Sequence, residues 1–126
     1  MIAVDTSALM AIVLDEPAAD ACIAVLEAED DLVISAGTVA ELLIVAARRG
    51  VGEEIRSLLD GLGFEITPVT ESTARRVAEA YAQWGKGIHA ALNFGDCFAY
   101  EVAKDRACRL LYIGDDFSKT DIEGAI

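Results

Sequence analysis

The sequence predicts an α/β domain in which a short parallel sheet carries helices on both faces. Three observations point there. Brief apolar runs of strand length alternate with longer segments of helical periodicity. Of the 126 residues, 54% are hydrophobic, enough apolar material for a full core. No linker, repeat or low-complexity stretch divides the chain, so residues 1–126 are expected to form one domain.

"MIAVD" at the start reads as a buried strand ending in an acid, and "TSALMAIVLDE" as a helix. In "EPAADACIAVLEAED" Pro17 suits a first helical position, while Ala19, Cys22, Ile23 and Leu26 recur at i, i+3, i+4, i+7. "DLVIS" is a second strand. "GTVAELLIVAARRG" reads as a helix with Thr38 as N-cap, Glu41 reaching back to it from the first turn in a capping box, and Gly50 as stop signal. "VGEEIRSLLDGLG" is a further helix closed by glycine, and "FEITPV" a third strand. "ESTARRVAEAYAQW" is a helix with Ala74, Val77, Ala78, Tyr81 and Trp84 on one stripe. The glycine-punctuated loop "GKGIHAALNFG" leads into a helix opened by an Asn93 cap and Asp96. "RLLYI" is the fourth strand, and "GDDFSKTDIEGAI" a turn with a short last strand.

Ten basic against 22 acidic residues give a formal charge of −12, which excludes attraction of nucleic acid through a broad basic face. A polyanionic substrate would need a bound cation, a few placed arginines or a basic partner. Cys22, Cys97 and Cys108 form no C-x-x-C pair and read as small core residues in a reducing compartment. Apolar stretches such as "VAELLIVAA" are interrupted by Glu41 and fall short of the ~20 residues that cross a bilayer. The first residues also lack a basic leader region, so a soluble, cytoplasmic protein with no membrane partner is expected.

In an open parallel sheet, the loops leaving the strands and the first turns of the following helices meet at the carboxyl edge, where such folds bind ligands. Asp5, Glu41, Asp96 and the pair Asp115 and Asp116 all map to that edge, although Asp5 and Asp115 stand 110 positions apart. Each has an ordinary explanation as a cap or turn residue: Asp5 before the first helix, Glu41 with Thr38, Asp96 with Asn93, and "GDD" as a turn. Capping does not explain convergence. Two carboxylates ~5 Å apart repel by roughly 3 kcal/mol at an effective dielectric of 20, more than helix dipoles return. An all-carboxylate set selects a hard ion such as Mg²⁺ or Mn²⁺, which keeps waters and meets a phosphate ester. Thr6 and Ser7 either cap the first helix or orient a carboxylate or water there.

"VDTSAL" (4–9), "TVAELLIVAARR" (38–49), "LNFGDCFAY" (92–100) and "LLYIGDDFSKTDI" (110–122) resemble, in order and nearly end to end, the motifs of PIN-domain nucleases of the VapC toxin type. The resemblance implies a three-layer α/β/α sandwich around a short parallel sheet and Mg²⁺-dependent endoribonuclease activity. It makes Asp5 and Asp96 the principal metal ligands, with Glu41 completing the site and Asp115 as the fourth acid; Asp116 remains an alternative within "GDDF". It also implies a homodimer that binds a cognate VapB-type antitoxin as a heterotetramer or larger assembly. Glu101 departs from the family pattern, which places a small apolar residue there. Turned about 140° from Asp96 on a helix, it reads as a surface or interface residue.

With His89 the only histidine, and in a loop, a metal-free acid–base ribonuclease lacks its usual pair of titratable groups. Water attack at a metal centre leaves 5′-phosphate and 3′-hydroxyl ends. Arg48 and Arg49, on the helix that starts at the acidic edge, are the candidates for guiding RNA phosphates. Arg75 and Arg76 read first as a solvated face. Leu42, Leu43, Val45, Ile55, Leu58 and Leu59 exceed what one buried stripe requires; core packing accounts for most of them, and the surplus suits a groove for an antitoxin helix. Two other classes share the alternating pattern. A phosphoacceptor receiver domain usually pairs acids after its first strand, where Thr6 follows Asp5, and a dehalogenase-like phosphatase needs D-x-D, where residue 7 is serine. A non-catalytic acidic-pocket binding module is the remaining alternative.

Overall fold

The computed structural model describes residues 1–87 and 90–126. Strands β1 (Ile2–Val4), β2 (Leu32–Ser35), β3 (Glu65–Thr67) and β4 (Arg109–Leu111) form one sheet in the order β3-β2-β1-β4, every pairing parallel. Parallel neighbours need long crossovers, and here helices make them: α1 (Thr6–Val13) and α2 (Ala19–Ala28) between β1 and β2, α3 (Ala36–Arg48) and α4 (Gly52–Leu62) between β2 and β3, then α5 (Glu71–Trp84) and α6 (Phe94–Asp105) before β4.

Side chains of a strand alternate between faces, and the alternation divides the interior in two. Ile2, Val4, Leu32, Ile34 and Leu111 pack against α1 to α4, whereas Ala3, Val33 and Leu110 pack against α5 and α6. That is the expected α/β/α sandwich. Burial on both faces explains why the two central strands read as unbroken apolar runs. The anticipated last strand reduces to one bridge, in which Leu110 N donates to Glu123 O and Ala125 N to Leu110 O. No helix among the described residues is long and apolar enough to cross a membrane.

Several local expectations are corrected. Helix α3 begins two residues before Thr38, because the Ser35 side chain, at the end of β2, accepts from Gly37 N at 3.1 Å and is the N-cap. Thr38 is instead fully buried, and its hydroxyl has no partner among the described residues. Glu41 therefore sits past the first turn and does not close a capping box. Pro17 lies in the turn ahead of α2 rather than on its first helical position. On α5 the buried residues are Thr73, Val77 and Ala80, while Ala74, Ala78 and Tyr81 are exposed. On α3 and α4 core packing takes most of the apolar positions, as expected: Leu42 and Ile55 are fully buried, and Leu43, Val45, Leu58 and Leu59 pack against the same core while staying partly exposed.

Glu101 is neither surface nor interface. It is 6% exposed and accepts from Arg76 Nε at 2.9 Å. Facing away from Asp96 on α6 means facing α5, not solvent, because α6 is covered on one side by the sheet and on the other by α5.

Candidate active site

Asp5 leaves β1 at its carboxyl end and caps α1. Its Oδ2 accepts from Ser7 N at 3.1 Å and from Ser7 Oγ at 2.7 Å, and the same Ser7 hydroxyl accepts from Ile113 N at 3.0 Å just beyond β4. One hydroxyl thereby fixes the Asp5 rotamer and ties it to the neighbouring strand. Asp5 Oδ1 is buried with no hydrogen-bond partner among the described residues. A buried carboxylate oxygen left unpaired costs on the order of 1–3 kcal/mol or more, so the atom is suited to a ligand.

Asp96 has the capping-box role that the sequence allowed. Asn93 N donates to its Oδ2 at 3.0 Å while Asp96 N donates to Asn93 Oδ1 at 2.8 Å. Its other oxygen carries no hydrogen bond among the described residues. Capping and convergence are thus compatible, since each aspartate uses one oxygen to fix itself and keeps the second in reserve. Glu41 reaches over from α3, where Thr6 Oγ1 donates to its Oε1 at 2.7 Å.

Asp5, Glu41, Asp96 and Asp116 line one cavity of about 330 Å³, with Thr6 and Ser7 in its wall. Asp115 does not line it. It opens a turn in which its carbonyl accepts from Ser118 N at 3.1 Å and Ser118 Oγ at 2.7 Å, and the next residue faces the cavity. Burial pushes the Asp5 carboxyl up to about 6; the Ser7 hydrogen bonds oppose this and the charge of Glu41 adds to it. Burial likewise pushes Asp96 up to about 7, opposed by its bond from Asn93 and reinforced by Asp5, Asp116 and Glu41. Both aspartates are nine-tenths or more buried, so little solvent screens these charges.

The donor set is oxygen only, the chemistry of a hard divalent ion. Among the described residues no three His, Cys, Asp or Glu side chains are grouped closely enough to grip an ion as they stand. The fit therefore rests on the unpaired Asp5 Oδ1 and on mutual repulsion, which a cation would relieve.

Arg49 lines the same cavity and Arg48 does not. Sequence reasoning missed Glu16, a further cavity residue placed just after Asp15 turns the chain at φ 51°. A positive φ at a non-glycine residue is not readable from the sequence. It also missed Gly95, described below. The reading of His89 lies outside the described residues. Cys22 and Cys97 are buried, Cys108 is half-buried, and all are free thiols, as anticipated.

Comparison with known proteins places this arrangement. The PIN domain family profile matches residues 2–123. Ribonuclease VapC30 of Mycobacterium tuberculosis is 39% identical over 123 residues, 94% of either chain. Ribonuclease VapC36 of the same organism is 42% identical over 128 residues, covering 95% of this chain and 90% of its own. Among solved structures, Mycobacterium tuberculosis VapC20, a sarcin–ricin loop cleaving toxin, superposes with a TM-score of 0.80 at 15% identity, covering 97% of this chain and 96% of the other. VapBC2 from Rickettsia felis, bound to a promoter DNA fragment, gives 0.70 at 18% identity over 98% and 96%. At those identities the structures speak for the fold alone, whereas the profile and the two sequence relatives carry the assignment: the chain belongs to the PIN domain family, among its VapC members.

Proposed function

We propose that the chain is a metal-dependent endoribonuclease that hydrolyses RNA phosphodiester bonds, and that it is the toxin of a VapBC-type toxin–antitoxin pair. The observation that carries the reading is that Asp5 and Asp96 are buried, held by fixed hydrogen bonds, and face one cavity with no ion-pair partner among the described residues. Asp5, Asp96 and Asp116 would hold Mg²⁺ or Mn²⁺, with Glu41 completing the set. At that site such an ion would supply a water of lowered pKa and would offset charge on the phosphate.

The chain's own residues do the rest. Ser7 holds Asp5 so that Oδ1 faces the ligand. Thr6 holds one oxygen of Glu41 and so fixes where its carboxylate stands in the cavity. Arg49 supplies a positive charge on the wall for a flanking phosphate, in a protein of net charge −12. Because water attacks, the RNA 2′-hydroxyl takes no part.

An RNA substrate implies the cytoplasm. Solved proteins of this fold include toxin–antitoxin complexes, which supports a VapB-type antitoxin as partner. A basic antitoxin segment would complement the acidic rim. The exposed Ile44, Val69, Tyr81 and Phe94 suit self-association to a homodimer, and a heterotetramer or larger with antitoxin.

The test is RNA cleavage by the purified protein with and without Mg²⁺. Asp5→Asn and Asp96→Asn should each lower the rate by roughly a hundredfold or more, since even residues that only orient metal ligands are worth 10–100-fold. Products should end in 5′-phosphate and 3′-hydroxyl groups. Cleavage that survives chelation or both substitutions overturns the reading.

A further inference from the structure

Gly95 occupies the second position of α6 with no conformational need for glycine: it is not among the residues with positive φ. Glycine there costs about 0.5–1 kcal/mol relative to alanine. Its surroundings supply the reason. A Cβ built on Gly95 would stand 1.7 Å from Glu41 Oε2, 2.5 Å from its Cδ and 3.0 Å from its Oε1. The carboxylate of Glu41 therefore rests on the bare Cα of Gly95, held from the other side by the Thr6 hydroxyl.

We propose that Gly95 is a positioning residue, whose missing side chain is the seat that sets where the Glu41 carboxylate stands against Asp5 and Asp96. This rests on the metal-dependent reading above and adds a determinant of its geometry. A second glycine, Gly37 on α3, shows what the alternative looks like. A Cβ there would come within 2.4–2.8 Å of the Phe98 ring. That contact locks α3 to α6 through a packed aromatic, whereas the Gly95 contact is with the end of a side chain that can swing away. An added methyl at Gly95 is thus relieved by moving Glu41 rather than by parting the helices, and the Thr6 hydrogen bond is what gives.

Gly95→Ala tests this. The variant should fold with native stability or slightly better, because alanine favours the helix. Its Mn²⁺ affinity, measured by calorimetry, should fall about tenfold, with kcat lowered by a similar factor and KM for RNA little changed. In a Glu41→Ala background, where the methyl has room, the same substitution should change Mn²⁺ affinity less than about twofold. A crystal structure of Gly95→Ala should show the Glu41 carboxylate displaced and its bond to Thr6 broken. Equal losses in both backgrounds, native affinity in the single variant, or a displaced α6 with Glu41 still on Thr6 would overturn the proposal. The crystal structure needs no metal, so it separates this failure from that of the nuclease reading, which falls if the unmodified protein neither binds Mn²⁺ nor cleaves RNA.

Discussion

Helix α6 carries two buried acids five residues apart, and their surroundings are opposites. Glu101 is 6% exposed and meets Arg76 Nε at 2.9 Å, so its charge is matched within the fold. Asp96 is equally buried, has no ion-pair partner among the described residues, and is surrounded by Asp5, Glu41 and Asp116. Around Glu101 the polar groups saturate one another: Trp84 Nε1 donates to the Tyr100 hydroxyl at 2.9 Å, and Tyr100 donates to Asp121 Oδ1 at 2.8 Å. The same protein that matches charges carefully on one flank leaves them unmatched on the other. Unmatched buried charge lowers stability, so the carboxyl edge, unlike the Glu101 flank, is where a bound cation would relieve the fold.

The largest test of that contrast is pH. Asp5 and Asp96 have folded-state pKa values of about 6 and about 7, above the ordinary 3.8. Their protonated forms favour the fold, so their contribution is fully present below about pH 4 and is lost as pH rises through 6 to 7. Between pH 4.5 and 8 the metal-free protein should lose several kcal/mol more than an Asp5→Asn/Asp96→Asn variant, each aspartate contributing up to about 1.4 kcal/mol per pH unit between the starting pH and its folded value. Urea unfolding at the two pH values measures it. Added Mn²⁺ should restore stability at pH 8 to the unmodified protein and not to the variant. Parallel curves for the two proteins would erase the distinction between the flanks.

Removing the match around Glu101 should make that region behave like the acidic rim. Arg76→Ala leaves the buried Glu101 carboxylate uncompensated and should lower stability in urea unfolding, by less than the loss of a fully buried pair because the Arg76 side chain is 44% exposed. RNA cleavage per folded molecule should stay unchanged. The smallest effect belongs to Tyr100→Phe, which removes the hydroxyl joining Trp84 to Asp121 and should cost about 1 kcal/mol in thermal or urea unfolding. A larger loss of activity than of stability would show that the saturated flank helps to shape the site.

The parts of the molecule that were legible in the sequence are those written in local chemistry. Two-face burial of β1 and β2 produces apolar runs, and Asn93 with Asp96 spells its capping box in four consecutive residues. The convergence of Asp5, Glu41 and Asp96 on one cavity was readable from topology alone, because strand ends in a parallel sheet share an edge. What escaped depends on partners distant in sequence. Ser35 displaced Thr38 as cap because β2 runs straight into α3 with no intervening loop. Two periodic stripes overlap on α5, and only the position of α6 decides which is buried. Glu101 looked solvent-facing because helix geometry says where a residue points but not what stands there. That Asp116 and not Asp115 lines the cavity follows from a bend that begins at the Asp115 carbonyl, invisible in the side-chain pattern.

The Ser7 hydroxyl that links Asp5 to Ile113 N bridges 106 positions, from the start of the first helix to the exit of the last strand. Until β4 has emerged from the ribosome and docked beside β1, Asp5 lacks the neighbour that braces it and Asp116 has no place at the rim. The acidic rim is therefore a property of the assembled sheet and not of any one segment: a chain without β4 keeps Asp5 in its sequence and loses the brace that Ile113 supplies.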